Sequence, residues 1–331
     1  MESAEFDELD QKLVSALVLD GRAPFSRIAA VLGVSDQTVA RRYRRLYTEG
    51  ELRVVCVRDT ERLGLTRWML RLRCTPDASV SIATALARRP DTAWIGLTSG
   101  GTEVVCTTES RRPEDHEALL LGKLPRTPSI VEIGAHQLLH RFFGGPLGWF
   151  AKDSALTAGE RAALTPEPFE PATGPLRLDA ADEALIDALA ANGRAGYPEL
   201  QKATGRSESA VKRRLDQLLR SGALFVDVEF DTNRFGFRTR AVLWITVAPS
   251  ALASVGAALA SHTEVAFAAA TSGPANVVAV VICRDPAALY AYLSERLGTL
   301  DGVQHVESAP VLREVKRLTY GGERPARGAW S

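Results

Sequence analysis

The chain repeats itself, and this limits its architecture more than any other feature. Residues 9–52 align with residues 181–224 without a gap, at a shift of 172. Identical pairs include Asp10/Asp182, Leu13/Leu185, Leu17/Leu189, Gly21/Gly193, Arg22/Arg194, Gly33/Gly205, Ser35/Ser207, Val39/Val211, Arg41/Arg213, Arg42/Arg214, Leu46/Leu218 and Gly50/Gly222. The match continues through RDTERLGL (58–65) and FDTNRFGF (230–237), and TSGGTEVV (98–105) faces TSGPANVV (271–278) at a shift of 173. A period this long exceeds the ~20–50 residues of a solenoid unit. Two fused copies of a two-domain module explain it most simply.

The seam lies at TPEPFEPATGP (165–175), where four prolines remove backbone donors and restrict their predecessors. This stretch reads as extended linker, and GGERPARGAWS at the C-terminus reads as a loose tail. The expected division is 1–58 and 59–148 for copy 1, linker 149–176, 177–230 and 231–322 for copy 2, and tail 323–331.

Each copy opens on a helix–turn–helix pattern. Phe6, Leu9, Leu13 and Leu17 recur at helical spacing, marking one buried face. Gly21 is placed to end that helix. A short second helix over 26–32 buries Ile28, Val31 and Leu32, and Gly33 turns the chain. Ser35 is placed to cap the third helix, where Val39, Tyr43 and Leu46 form an apolar stripe. Gly50 stops that helix, and residues 52–55 read as a strand. The second copy repeats the order with Leu185/Leu189, Leu200, Gly205, the Ser207 cap, Val211/Leu215/Leu218, Gly222 and Leu224. Helix, helix, glycine turn, capped helix, glycine and strand is the order of a winged helix–turn–helix.

The third helix carries the charge. The whole chain has 40 Lys+Arg against 40 Asp+Glu and no net charge, so its total does not advertise nucleic acid. Yet SDQTVARRYRRL (35–46) gathers Arg41, Arg42, Arg44 and Arg45. With the apolar stripe inward, Gln37, Thr38, Ala40, Arg41, Arg44 and Arg45 lie on or near the outer face, and Ser35 and Arg42 join Gln37, Thr38, Arg41, Arg44 and Arg45 in the set expected to contact DNA. There they suit base edges and phosphates of a major groove. The twin SESAVKRRLDQL offers Ser207, Ser209, Lys212, Arg213 and Arg214 for DNA but has Asp216 and Gln217 where Arg44 and Arg45 stand. The second head is expected to hold phosphates less strongly or to touch a different sequence. Double-stranded DNA is the expected partner.

These residues resemble the Lrp/AsnC family of transcriptional regulators, in a tandem, fused form. The resemblance runs from LDQKLVSALVLDGRAPFSRIAAVLGVSDQTVARRYRRLYTEGEL through RLGL, and again through the second copy to RFGF. It implies a ferredoxin-like βαββαβ domain after each winged helix, and so an α+β chain. The sequence agrees independently. TRWMLRLRC alternates like a strand, SVSIATALARR reads as a helix, TAWIGLTSG and TEVVCTTE as a hairpin, HEALLLGKL as a helix and IVEIGAHQLL as a last strand. RAVLWITVA, ALASVGAALASH, VAFAAATSG, NVVAVVIC, DPAALYAYLSERLG and VQHVESAPVL give the same order in copy 2.

In the family such domains pair sheet to sheet and take small effectors, often amino acids, near the turn between the two central strands. The resemblance places that turn at Ser99, Gly100, Gly101, Thr102 and Glu103, and at Ser272, Gly273, Ala275 and Asn276. Family members usually carry Asp where Glu103 and Asn276 stand, so the two halves need not take the same ligand. The residues alone also allow plain hairpin turns that need glycine. The fused pair is expected to act as an intramolecular pseudo-dimer, with further homodimerisation open.

Fused proteins of this kind also include sirohaem decarboxylases, which would use histidines or arginines around a tetrapyrrole; His136, His140 and His305 are the candidates. No Ser/His/Asp or Cys/His arrangement, P-loop or G-x-G-x-x-G occurs, and neither a catalytic residue, a cofactor nor a metal is expected. Cys56, Cys74, Cys106 and Cys283 form no C-x-x-C pair and suit buried thiols in a reducing cytoplasm. No apolar run of about 18 residues is present, and the acidic N-terminus is unlike a secretory leader.

Overall fold

The computed structural model describes residues 6–50, 52–110, 112–145, 148–152, 155–166 and 178–318. In chain order the elements are α1 (Glu8–Leu19), α2 (Phe25–Leu32), α3 (Asp36–Thr48), β1 (Leu52–Arg58), β2 (Thr66–Cys74), α4 (Ser79–Ala87), β3 (Thr92–Thr98), β4 (Glu103–Ser110), α5 (Pro113–Glu117), β5 (Ile130–Phe143) and α6 (Ala158–Leu164). Then come α7 (Ala180–Ala191), α8 (Tyr197–Thr204), α9 (Glu208–Arg220), β6 (Leu224–Phe230), β7 (Thr239–Val247), α10 (Leu252–Ser261), β8 (Val265–Thr271), β9 (Val277–Cys283), α11 (Pro286–Ala291), β10 (Val303–Pro310) and β11 (Arg313–Lys316). This is an α+β chain built from two copies of one module. Its compact units cut across the copies. One runs to Leu63 and takes up again over Phe150–Phe235; the other holds Gly64–Trp149 and the chain from Gly236. The crossings after Leu63 and Phe235 fall inside the RLGL and RFGF segments, where Gly64 and Gly236 adopt positive φ.

The first unit holds both winged helices. In copy 1, Leu13, Val14 and Leu17 of α1, Ile28 of α2, and Val39 and Leu46 of α3 are buried. Gly33 ends α2 in the left-handed conformation at φ 67°, and Ser35 Oγ accepts from Thr38 N–H at 3.1 Å to open α3. The copy-2 core is equivalent, Leu185, Leu189, Leu200, Val211, Leu215 and Leu218, and it also takes in Cys56 from β1. Two local expectations change. Asp20, not Gly21, caps α1; Gly21 instead lies hard against Val226, where a side chain would not fit. Ser207 occupies the α9 cap position but makes no capping bond, its hydroxyl meeting Ser209 Oγ at 3.3 Å.

The two heads are joined by their wing strands, β1 running antiparallel to β6 from Leu52↔Phe230 to Arg58↔Leu224. Arginines are exchanged across this seam. Arg22 donates to the carbonyls of Gly193 and Ala195, and Arg194 donates to those of Gly21 at 2.6 Å and Ala23 at 2.9 Å. Gly193 N–H bonds Val54 O at 2.7 Å, an approach so close that a Cβ at 193 would lie 2.8 Å from Val55 N. The guanidinium of Arg194 lies 4.4 Å from the Phe25 ring centre and 5.5 Å from that of Tyr43. Burial there lowers the pKa of Arg194.

Part of the region expected to be linker is built into this unit. Thr157 and Glu160 form a reciprocal cap on α6, Lys12 pairs with Glu160 at 3.1 Å, and Arg27 donates to Ala163 O at 2.9 Å. Proline-rich residues 167–177, the tail 323–331 and the first five residues lie outside the described residues.

The second unit holds both ferredoxin-like domains. Each is βαββαβ with an antiparallel sheet, ordered β5-β2-β4-β3 in copy 1 and β10-β7-β9-β8 in copy 2. In copy 1, Ile82, Ala83, Leu86 and Leu119 cover one face, packing on Leu70, Leu72, Ile95, Val104 and Cys106. The helices α5 and α11 each continue as a π-helical turn, Ala118–Lys123 and Tyr292–Leu297. The other sheet face buries residues of both copies together: Met69, Val105, Val242, Trp244, Ala269 and Val278.

Strand exchange completes the union. The first part of β5 pairs with β2; beyond Gln137 the same strand pairs with β8, Leu138↔Thr271 to Phe143↔Ala268. Likewise β10 pairs with β7, and beyond Pro310 β11 pairs with β3. Nine strands thus share one hydrogen-bonded order, β10-β7-β9-β8-β5-β2-β4-β3-β11. An edge strand is a row of unpaired donors and acceptors; each copy covers the hairpin edge of the other.

Candidate DNA-contacting helices and effector turns

The cations of α3 divide into two sets. Ser35, Gln37, Arg41 and Arg44 are exposed, and Thr38 is half-buried with its hydroxyl 2.9 Å from Ser35 Oγ. Among the described residues, Arg41 and Arg44 enter no ion pair. Arg42 does: it bonds Asp7 and lies 3.1 Å from Asp10 Oδ1, while Arg45 bonds the other oxygen of Asp10. Asp10 is 3% exposed, on the apolar face of α1. Burial raises the pKa of Asp7, but the Arg42 guanidinium and the Asp10 N–H outweigh it and hold the carboxyl below its usual value.

Copy 2 uses the same device. Asp182, 1% exposed, receives Arg214 at 2.6 and 2.9 Å and Arg206 at 3.0 Å. Burial raises its pKa and Arg214 outweighs that, so the net shift is downward. Ser207, Ser209, Lys212 and Arg213 are exposed, and Lys212 and Arg213 enter no ion pair among the described residues. Asp216 is occupied by Arg220 at 2.8 Å. Of the charges read as one outward set, then, Arg42, Arg45 and Arg214 pin the third helix to the first. The anchoring acids were in view as the identical pair Asp10/Asp182, yet an acid on an apolar face is easily passed over as a boundary residue.

The two candidate effector turns differ as much. In copy 1, Ser99 (φ 53°), Gly100 (φ 68°) and Gly101 (φ 90°) take the left-handed conformation. Glu103 is buried: Arg71 bonds one oxygen, and Thr98 and Ser99 hydroxyls donate to the other at 2.8 and 3.1 Å. Thr102 Oγ donates to Ser99 O at 2.9 Å. Arg71 also grips Glu307, raising its own pKa and lowering that of Glu307.

In copy 2, Asn276 spans Val247 like a strand neighbour, accepting from its N–H at 2.8 Å and donating to its carbonyl at 2.7 Å. Ser272 is tied to β5 by its N–H to Gln137 O (2.9 Å), by Gln137 N–H to its hydroxyl (2.8 Å) and by His136 Nδ1 to its carbonyl (2.9 Å). Thr271 Oγ donates to Ala275 O at 2.8 Å, and Gly273 adopts φ 107°. Sequence reasoning left out the partners Arg71, Glu307, Trp244 and Gln137, which lie far from the turns in sequence.

The histidines do not share a site. His136 packs on Trp244, ring centres 5.1 Å apart, whereas His140 is exposed beside Phe142 and His305 is exposed on β10. Four residues along a strand separate His136 from His140 by about 13 Å. All four cysteines are buried and free, and burial pushes the thiols of Cys56, Cys106 and Cys283 up to about 11, 12 and 11. No helix among the described residues is long and apolar enough to cross a membrane.

Paired winged helices, together with paired ferredoxin-like domains, define a duplicated helix–turn–helix protein. Comparison with known proteins agrees. The AsnC-type helix-turn-helix domain matches residues 6–47 and again 178–219, and the Lrp/AsnC ligand binding domain matches 240–320. HTH-type transcriptional regulator Rv2324 of Mycobacterium tuberculosis is 35% identical over 142 residues, 41% of this chain and 93% of that protein. Regulatory protein AsnC of Escherichia coli is 27% identical over 150 residues, 42% of this chain and 96% of that one. Among solved structures, siroheme decarboxylase NirDL aligns over 93% of both chains with a TM-score of 0.59 and 13% identity, a likeness of fold. The chain belongs to the Lrp/AsnC family of transcriptional regulators, in a form that carries the module twice.

Proposed function

We infer that this protein is a sequence-specific DNA-binding regulator whose two heads differ and whose ferredoxin-like unit responds to a small metabolite such as an amino acid. The observation that supports it is the division of charge on α3 and α9. Each helix uses some arginines on a buried acid of its own head and leaves exposed cations, Arg41 and Arg44 on one, Lys212 and Arg213 on the other. Such a face suits phosphates and base edges. Heads reading successive major grooves lie about 34 Å apart, or a multiple of that. Because their exposed residues differ, the bound site is asymmetric. The test is selection of binding sequences from random DNA with the purified chain, then footprinting. A perfect inverted repeat with equally protected halves refutes the two-headed reading, and salt-dependent binding without sequence preference refutes specific regulation.

The whole-chain likeness to NirDL supports a second reading, decarboxylation of an iron tetrapyrrole by the same duplicated fold. Its candidate side chains are dispersed: His136 is bonded to Ser272 and packed on Trp244, and His140 stands about 13 Å along the strand. Titration with an iron tetrapyrrole separates the two readings. A tight complex with a shifted Soret band and loss of a carboxyl group supports the enzyme, and an unperturbed spectrum supports the regulator.

A further inference from the structure

The two effector turns occupy equivalent places in the duplicated sheet, so their surroundings can be compared position by position. Strand register fixes the equivalences. Met69 faces His136 across β2 and β5, and Val242 faces Ala309 across β7 and β10. His136 therefore corresponds to Ala309, and the next residue, Gln137, to Pro310. By the same register Arg71 faces Gly134 where Trp244 faces Glu307, so Arg71 corresponds to Trp244 and Gly134 to Glu307.

The differences at 136/309 and 137/310 tie down the copy-2 turn and leave the copy-1 turn without an equivalent tie. At the copy-2 turn the His136 ring stands where a Cβ on Gly273 would be, and it is held there by Ser272 O and Trp244. Gln137 ties Ser272 by both its N–H and its carbonyl. At the copy-1 turn the counterpart of His136 is a methyl group, and Pro310 has no N–H to donate. A Cβ on Gly100 would meet nothing within 4 Å, and one on Gly101 would meet only Leu312 Cδ at 3.7 Å. Charge follows the same line. The open turn has Arg71 between Glu103 and Glu307, and Arg73, which also acts on Glu307, is itself paired with Glu132 at 3.1 Å, so two cations stand against three anions. The closed turn has Trp244, Asn276 and Gly134 in their places, all uncharged.

We propose that the chain takes effector only at the copy-1 turn, that His136 is a permanent internal occupant of the copy-2 turn, and that the ligand brings an ammonium group to the surplus negative charge beside Glu103 and Glu307. This rests on the effector reading above. It makes the duplicated chain a single-response device: one metabolite per polypeptide, where two independent chains would offer two sites.

Hydrogen exchange on the full chain, with and without each proteinogenic L-amino acid, tests it. In the free chain, amides of 271–276 exchange slowly and those of 99–102 quickly. His136→Ala speeds exchange over 271–276 by about fivefold or more, the loss of one hydrogen bond and its packing. An amino acid that binds protects 99–103 only, at one molecule per chain, and Glu307→Gln weakens it. Equal exchange of the two turns in the free chain overturns the closure by His136. Protection of both turns, or two molecules bound, overturns the single site while leaving the effector reading intact. Slow exchange over 271–276 with no amino acid bound refutes an amino-acid effector, and with it the ligand named here, while leaving His136 as the occupant.

Discussion

Two alanine variants at adjacent positions of α3 should fail in different ways. Arg41 is exposed and unpaired among the described residues, and so is Arg44 one turn on. If each neutralises one phosphate, Arg41→Ala/Arg44→Ala makes the slope of log affinity against log salt shallower by about 1.8, at about 0.9 per contact. The fold loses only a solvated face. Arg42 sits differently, with 23% of its side chain exposed, and bonds both Asp7 and Asp10, whose side chain is 4% exposed. Removing a partner from a buried carboxylate costs ~3–5 kcal/mol, and part of this is relieved because Arg45 still holds Asp10 and Arg42 is partly solvated. A loss of ~2 kcal/mol remains, a fall in melting temperature of about 4–8 °C for a unit this size. Fluorescence anisotropy on a bound DNA fragment across salt, beside melting curves, separates the two variants. If Arg42→Ala matches the Arg41/Arg44 variant in slope and melts like the parent chain, the acid anchor is irrelevant and Arg42 belongs to the interface.

Asp182→Asn leaves Arg206 and Arg214 without their shared buried carboxylate and should destabilise the winged-helix unit by ~3 kcal/mol in urea unfolding. The folded pKa of Asp182 lies below its unfolded value, so its stabilisation is present above about pH 5 and is lost as pH falls through the folded value. Urea midpoints at neutral pH and near pH 3 should therefore converge for Asp182→Asn and the parent chain as pH drops. Arg194→Ala removes the bonds to Gly21 and Ala23 and the contact with Phe25, so it should loosen the joined heads. Faster exchange of the β1 and β6 amides would report it, and an unchanged rate would deny the exchanged arginines a role. The thiols of Cys56, Cys106 and Cys283 should stay inert to a thiol reagent at pH 8 until denaturant is added; rapid labelling of the native chain would contradict their burial.

Much of the architecture was legible because it rests on local rules and on repetition. Gly33 and Gly205 mark the turn, Ser35 caps α3, and Val39/Val211 and Leu46/Leu218 face inward in both copies. Period-two runs located the strands, and TSGG and TSGP located the hairpins. What the repeat could not show is that the copies interleave. Strand pairing across 172 residues of separation leaves no local trace, so the pairing of β1 with β6 and the handover of β5 to β8 appear only in the fold. The same is true of α6, a short helix beside a proline-rich run, which docks on α1 and α2 through Lys12, Arg27 and Glu160.

By itself the sequence determined that there are two modules, that each opens with a winged helix–turn–helix, and which face of each third helix is apolar. Those features follow from periodicity and capping, which act over a few residues. The tertiary structure alone decided which third-helix charges are ion-paired within a head and what packs against each turn. Arg42 and Arg41 are neighbours in sequence, yet only Arg42 reaches Asp10, because a helix turns 100° per residue and only one of the two faces α1. His136 reaches Gly273 across 137 positions because β5 continues past its own domain.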